Sequence, residues 1–174
     1  MPQGYFFSFN KMDYVKADKP EDCILCRIRN NHPDSIDLTV HRDRLFLAAV
    51  NLYPYNPGHL MIFPSRHIVD IREYTQEEQR HLDVLARSIL DILDRLYSPA
   101  GYNIGYNMGL PAGASISHLH LHVIPRYPSE LGVADLLGGK RVLVEDPRET
   151  CRRISEGADQ DPGLQNLRER SDPG

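Results

Sequence analysis

The chain has 174 residues, of which 41% are hydrophobic and 25% charged, and its 20 basic and 24 acidic side chains leave a net charge of −4. That length suits one domain, and the proportions exclude global disorder, collagen and a membrane bundle. The slight acidity argues against a broad nucleic-acid-binding face, and no run of about 18 apolar residues is present to span a membrane.

Residues 1–20 read as an N-terminal arm without clear periodicity. Its start lacks a charged stretch leading into an apolar one, so a secretory signal is not expected and the cytoplasm is. Residues 22–30 predict a short helix around Ile24, Leu25 and Ile28, and 31–37 a loop containing Pro33. Residues 45–50 and 59–64 predict two strands of an antiparallel hairpin, joined by the turn-rich stretch 51–58 with Pro54 and Pro57. Thr75 and Glu78 have the spacing of a capping box. Leu82, Leu85, Ala86, Ile89, Leu93 and Leu96 then recur at helical spacing, predicting a helix that reaches about Tyr97 and stops before Pro99. Residues 102–108 and 118–124 predict two more strands. A last helix is expected over 147–156, with Pro147 in its first turn. The expected division is an arm at 1–20, a folded domain at 21–157 and a flexible tail at 158–174. Helices packed on an antiparallel sheet make the fold class α+β.

Three cysteines and no signal peptide argue against a disulfide framework. Cys23 and Cys26 form C-x-x-C, which fits a metal knuckle or a redox pair; Cys151 reads as a partly buried thiol. Ser117 to Ile124 is the most informative segment. Side chains alternate along a strand, so His118, His120 and His122 share one face and Leu119, Leu121 and Val123 the other. Three imidazoles on one face need partners, because they compete for donors and can charge near neutral pH. Either they hold a metal, or one is a nucleophile that its neighbours orient. Upstream, Asn107, Gly113 and Ser115 lie in a small-residue stretch suited to close approach of an anion.

The His-Leu-His-Leu-His-Val-Ile run, together with Pro57-Gly58-His59 and with Asn107, Gly113 and Ser115, resembles the histidine triad (HIT) family over about residues 22–127. The resemblance implies a HIT-like antiparallel sheet packed with one long and several short helices, often as a homodimer. It implies that His120 attacks the α-phosphorus of a nucleotide, forming a covalent nucleotidyl-histidine that water or phosphate resolves. His122 would donate to phosphate or leaving oxygen, and His59 would support His120 or the phosphate. Nucleotide-binding positions carried over are Asn51 for the ribose, Leu52, Leu25 and Ile24 for the base, and Asn107, Gly113, Ser115, His120 and His122 for phosphate. Bacterial relatives with a structural zinc imply Cys23, Cys26, His67 and His118 as ligands, a closed tetrahedral set. His32, His41 and His81 have no such counterparts and are read as surface residues.

The Asn51–His59 segment and Gly138–Leu143 are similar to a bacterial branch that cleaves diadenosine tetraphosphate with phosphate. Tyr127–Gly132 departs from that branch, as does Ala114 in place of a glycine, so phosphorolysis and hydrolysis both stay open. Alternatives are a nucleoside phosphoramidate hydrolase of the same family, a catalytic metalloenzyme using the three histidines, and a nucleotide-binding module without turnover. No organic cofactor, nucleic acid or membrane partner is expected.

Overall fold

Residues 23–128 and 145–171 are described by the structure, a computed structural model. In chain order they form α1 (Ile24–Arg29), β1 (Thr39–Arg42), β2 (Phe46–Val50), β3 (Leu60–Pro64), α2 (Gln76–Tyr97), β4 (Gly101–Tyr106), β5 (Leu121–Arg126), α3 (Pro147–Asp159) and α4 (Pro162–Ser171). The expected N-terminal arm and the Gly138–Leu143 segment lie outside these residues.

Local chemistry places the long helix. Glu78 N–H donates to Thr75 Oγ1 at 3.2 Å and Thr75 N–H to Glu78 Oε2 at 2.8 Å, which closes the capping box. Arg66 holds the same carboxylate from outside with Nε at 2.6 Å and Nη2 at 2.8 Å. The helix ends at Ser98, which takes a left-handed φ of 45° just before Pro99.

The sheet is antiparallel throughout, in the order β1-β2-β3-β5-β4. Each face has its own core. Ala48, Val50, Leu60, Ile62, Leu121 and Val123 pack under α2, α3 and α4. Leu47, Ala49, Met61 and Phe63 point the other way and meet Leu25 and Ile28 of α1. Period-two alternation thus separates a helix-covered face from a face that carries a site. Among the described residues no helix is long and apolar enough to cross a membrane.

Two elements differ from expectation. Strand β1 has a mixed Thr-Val-His-Arg sequence and an irregular register between Thr39 and His41, so it carries no alternating signal. The stretch expected as a tail instead continues as the end of α3 and as α4. Leu164 is fully buried and Leu167 is 6% exposed, both in the helix-side core; burying one leucine is worth about 1.5–3 kcal/mol. Asp161 Oδ1 accepts from Leu164 N–H at 3.1 Å and starts the helix, with Pro162 at its first position. A β-carbon on Gly163 would collide with Ser88 Oγ, so glycine lets α4 lie against α2.

The three histidines read as unpartnered surface residues have partners. Arg27 Nη2 lies 2.9 Å from His32 Nδ1. His41, 1% exposed, and His81 both donate from Nε2 to Asp43 Oδ2 at 2.7 Å. Asp43 Oδ1 accepts from Leu45 N–H at 2.7 Å and Phe46 N–H at 2.9 Å. Burial alone would raise the Asp43 carboxyl, but the bonds from His41, His81 and Phe46 outweigh it and hold it well below the usual carboxylate range.

Asp43→Ala is therefore expected to destabilise the fold by about 3–5 kcal/mol at neutral pH, because it strands buried partners. The folded pKa lies below the unfolded value of about 3.9. The stabilisation is therefore complete above that value and is lost as pH falls through the folded one. Urea midpoints of wild type and variant should differ most at pH 7 and draw together below pH 4; equal midpoints at pH 7 would contradict the assignment.

Candidate functional site

Strand β5 begins at Leu121, three residues later than the histidine pattern suggests, so His118 and His120 precede the ladder. Leu119 N–H bonds to the Ile68 carbonyl at 2.7 Å instead of to a strand neighbour. The faces still divide as the alternation implies. Leu121 and Val123 join the helix-side core. His122 lies opposite Met61 across the ladder, and the His118 ring meets Phe63 edge-on at 5.8 Å.

The three rings do not converge on one point. His120 and His122 face a common cavity, whereas His118 belongs to a cysteine cluster. This arrangement weighs against a metal held by the triad.

Hydrogen bonds fix the ring tautomers. A carbonyl can only accept, so the 2.7 Å contact between His120 Nδ1 and the His118 carbonyl places the proton on Nδ1 and leaves Nε2 as a lone pair. Burial pushes the His120 imidazole below its ordinary range, against the opposing pull of that bond, and keeps it neutral at pH 7. His59 Nδ1 accepts from Tyr55 N–H at 3.1 Å, so its Nε2 carries the proton and donates to His122 Nδ1 at 3.0 Å. That leaves His122 with its proton on Nε2. His59 itself is fully buried and contacts His122 rather than His120.

The cavity measures about 230 Å³. It is lined by Asn51, Leu52, Leu25, Asn107, Gly113, Ser115, His120 and His122, so all eight expected nucleotide-binding residues meet there, with Ile24 beside them. Ile28, Ile36 and Met61 are among the residues that extend an apolar end, and Asp34, Tyr53 and Tyr55 also line the cavity. Sequence reasoning assigned no role to these six. The tyrosines stood in the quoted Asn51–His59 segment, and their exposure was the missing signal.

Two glycines shape the walls. Gly58 has φ +80°, and a β-carbon there would sit 3.1 Å from Pro125 Cγ and 3.2 Å from Leu93 Cδ2. Only glycine brings the turn down so that His59 reaches the sheet. Gly113 has φ +89° and closes a tight turn, its N–H bonding the Leu110 carbonyl at 2.9 Å. The Ala114 N–H is likewise used, on the Gly109 carbonyl at 3.2 Å. These two main-chain donors are committed to the turn, and Asn107 and Ser115 line the cavity beside it.

On the other side of His120, α1 brings Cys23 and Cys26 to one face while Leu25 and Ile28 take the other. Cys23 Sγ is 3.4 Å from His118 Nδ1, Cys26 Sγ is 3.5 Å from the same nitrogen, and Cys26 Sγ is 3.3 Å from His67 Nδ1. The four ligand atoms lie within 4.8 Å of one another. Tetrahedral zinc with ordinary Zn–S and Zn–N bonds sets sulfur–nitrogen edges of about 3.5 Å, so the donors fit. His118 Nε2–H donates to the Pro64 carbonyl at 3.0 Å, which turns Nδ1 toward the cluster in the manner of an outer-shell partner. Burial, reinforced by His67, His120 and Arg29, pushes His118 down to about 4, so it is neutral and able to ligate.

Residues 33–129 match the HIT domain family model. The chain is 36% identical over 123 residues to the AP-4-A phosphorylase of Mycobacterium tuberculosis, covering 70% of this chain and 63% of that protein. It is 32% identical over 97 residues to the asymmetrical bis(5'-nucleosyl)-tetraphosphatase of Schizosaccharomyces pombe, covering 56% of this chain and 53% of that protein. The chain thus spans less than two thirds of either relative. Its fold resembles the crystal structure of a Zn-bound histidine triad family protein from Mycobacterium smegmatis, with a TM-score of 0.63 and 26% identity over 80% of this chain and 94% of that one.

Proposed function

The chain belongs to the HIT domain family, and we propose that it is a nucleotidyl hydrolase or transferase acting on dinucleoside polyphosphates of the diadenosine tetraphosphate type. The observation that carries this reading is the neutral His120, its Nδ1–H tied to the His118 carbonyl at 2.7 Å and its ring on the cavity wall.

The Nε2 lone pair of His120 attacks the α-phosphorus, and the bridging phosphorus–oxygen bond breaks toward the departing nucleoside polyphosphate. A covalent nucleotidyl-histidine forms, which divides one displacement into two easier ones. His122 donates its Nε2 proton to the phosphate or the leaving oxygen. His59, buried behind His122, is a positioning residue that sets the tautomer of His122. Asn107 and Ser115 contribute fixed donors where charge develops. Water or phosphate then attacks the same phosphorus, forming the new phosphorus–oxygen bond as the phosphorus–nitrogen bond breaks and its electron pair returns to His120 Nε2, which releases the nucleotide. The apolar end formed by Ile24, Leu25, Ile28 and Leu52 takes the base, and Asn51 faces the ribose. Asn51 Oδ1 already accepts from Tyr53 N–H at 3.0 Å, which orients its side chain.

Cys23, Cys26, His67 and His118 would hold a structural zinc, which supplies a closed tetrahedral cross-link between α1 and the segment carrying His120. A homodimer in the cytoplasm is the proposed setting; β4 is an edge strand, and its Ile104 is 48% exposed.

Product analysis with diadenosine tetraphosphate tests the reaction. Attack at the α-phosphorus releases ATP, together with AMP in water or ADP when phosphate is the acceptor. ATP as a product is the expected result in both cases. Two ADP and no ATP in the absence of phosphate would contradict attack at the α-position.

A further inference from the structure

We propose that Tyr53 and Tyr55 form a stacking platform for the second nucleobase, the one that departs with the leaving nucleoside polyphosphate. The proposal rests on the reading above and names a subsite of that site. A cavity of about 230 Å³ is smaller than the pockets that take drug-sized ligands, roughly 300–1,000 Å³. It has room for one nucleoside, so the other half of a dinucleoside polyphosphate lies at or beyond its mouth.

Tyr53 and Tyr55 stand on that cavity, 40% and 42% exposed. The Tyr55 ring stacks on His59 with centroids 5.4 Å apart and planes 16° apart, and His59 bonds to His122. Tyr55 is thereby held beside the His59–His122 pair, on the side where the proposed reaction puts the phosphate chain. The turn that carries both rings is held in place before any ligand arrives. Asn56 Nδ2 donates to the Pro125 carbonyl at 2.6 Å, Tyr127 Oη to the Pro57 carbonyl at 3.0 Å, and Tyr53 N–H to Asn51 Oδ1. Among the described residues, no lysine or arginine lines the cavity. The second base offers a further handle on the leaving half, one that aromatic stacking can take.

Stacking on one aromatic side chain changes affinity by about 5- to 150-fold. The test compares diadenosine tetraphosphate with adenosine 5'-tetraphosphate, which keeps the first nucleoside and the phosphates but lacks the second base. KM is measured for both, and Kd for a methylene-bridged, non-cleavable analogue of each, in wild type and in Tyr53→Ala, Tyr53→Phe, Tyr55→Ala and Tyr55→Phe. The readout is the ratio between the two compounds, so any general disturbance of His59 cancels. Wild type is expected to favour the dinucleoside within that range. Either alanine variant should bring the ratio towards one, and the phenylalanine variants should keep it. A ratio near one in wild type, or one unchanged in both alanine variants, would overturn the platform. If neither compound is turned over, the proposed reaction fails, while the ratio of dissociation constants still decides the platform.

Discussion

Replacing His120 with alanine is expected to lower kcat on diadenosine tetraphosphate by about four to six orders of magnitude, the loss found when a covalent nucleophile is removed. The reasoning begins with protonation. A nucleophilic imidazole must be neutral and must present a lone pair at the reacting atom. Burial meets the first condition, and the bond to the His118 carbonyl meets the second. No other ring on the cavity meets both, because His122 accepts at Nδ1 and carries its proton on Nε2. KM should move far less than kcat, since the apolar end and Asn51 are untouched by the substitution. Intact-protein mass spectrometry after rapid mixing should show one adenylyl adduct on wild type and none on the variant. Full turnover by His120→Ala would remove the nucleophile from this position.

Purified protein should carry one zinc ion per chain, and Cys23→Ser/Cys26→Ser should carry none. Stripping the zinc is expected to lower Tm by about 10 °C. An ion held about a thousandfold below its free concentration stabilises by about 4 kcal/mol, and each kcal/mol shifts Tm by about 2–4 °C at this chain length. The effect on kcat should be smaller than that of losing His120, about 10- to 100-fold, as for lost outer-shell partners of a metal site. Its cause is local. The cluster ties α1 to His118, and α1 carries Leu25 and Ile28 of the cavity wall. Six residues are too few to hold a helix unaided, so that wall depends on what anchors it. Absence of zinc by atomic emission, with a Tm indifferent to chelator, would dismiss the metal.

The sequence was legible wherever a signal was local or periodic. Thr75 and Glu78 with the leucines behind them specified α2 to its last residue. The alternation of His120 to Val123 specified which side chains face the cavity and which the helices. The C-x-x-C pair became a four-donor set only through His67 and His118, about 41 and 92 residues on, and the resemblance supplied that link. What escaped depends on contacts between distant segments. Asp43 receives one histidine from its own strand pair and another 38 residues away on α2, a convergence that no window reveals. Among its described residues, helix α4 gives the core only Leu164 and Leu167, too sparse for a periodic signal, although Asp161 followed by Pro162 marks its start. His59 was placed near the reaction by motif, but its role behind His122 depends on the Tyr55 N–H, which only the folded turn supplies.

The acceptor that fixes His120 is a main-chain carbonyl, and this decides how the site can fail. A side-chain replacement at residue 118 deletes an imidazole and with it a metal donor, but the carbonyl stays in the chain whatever the side chain. The proposed metal site and the control of the His120 tautomer therefore meet in one residue yet are genetically separable. Descendants of this sequence could shed the cysteine cluster one ligand at a time and still keep His120 protonated on Nδ1, as the proposed attack requires.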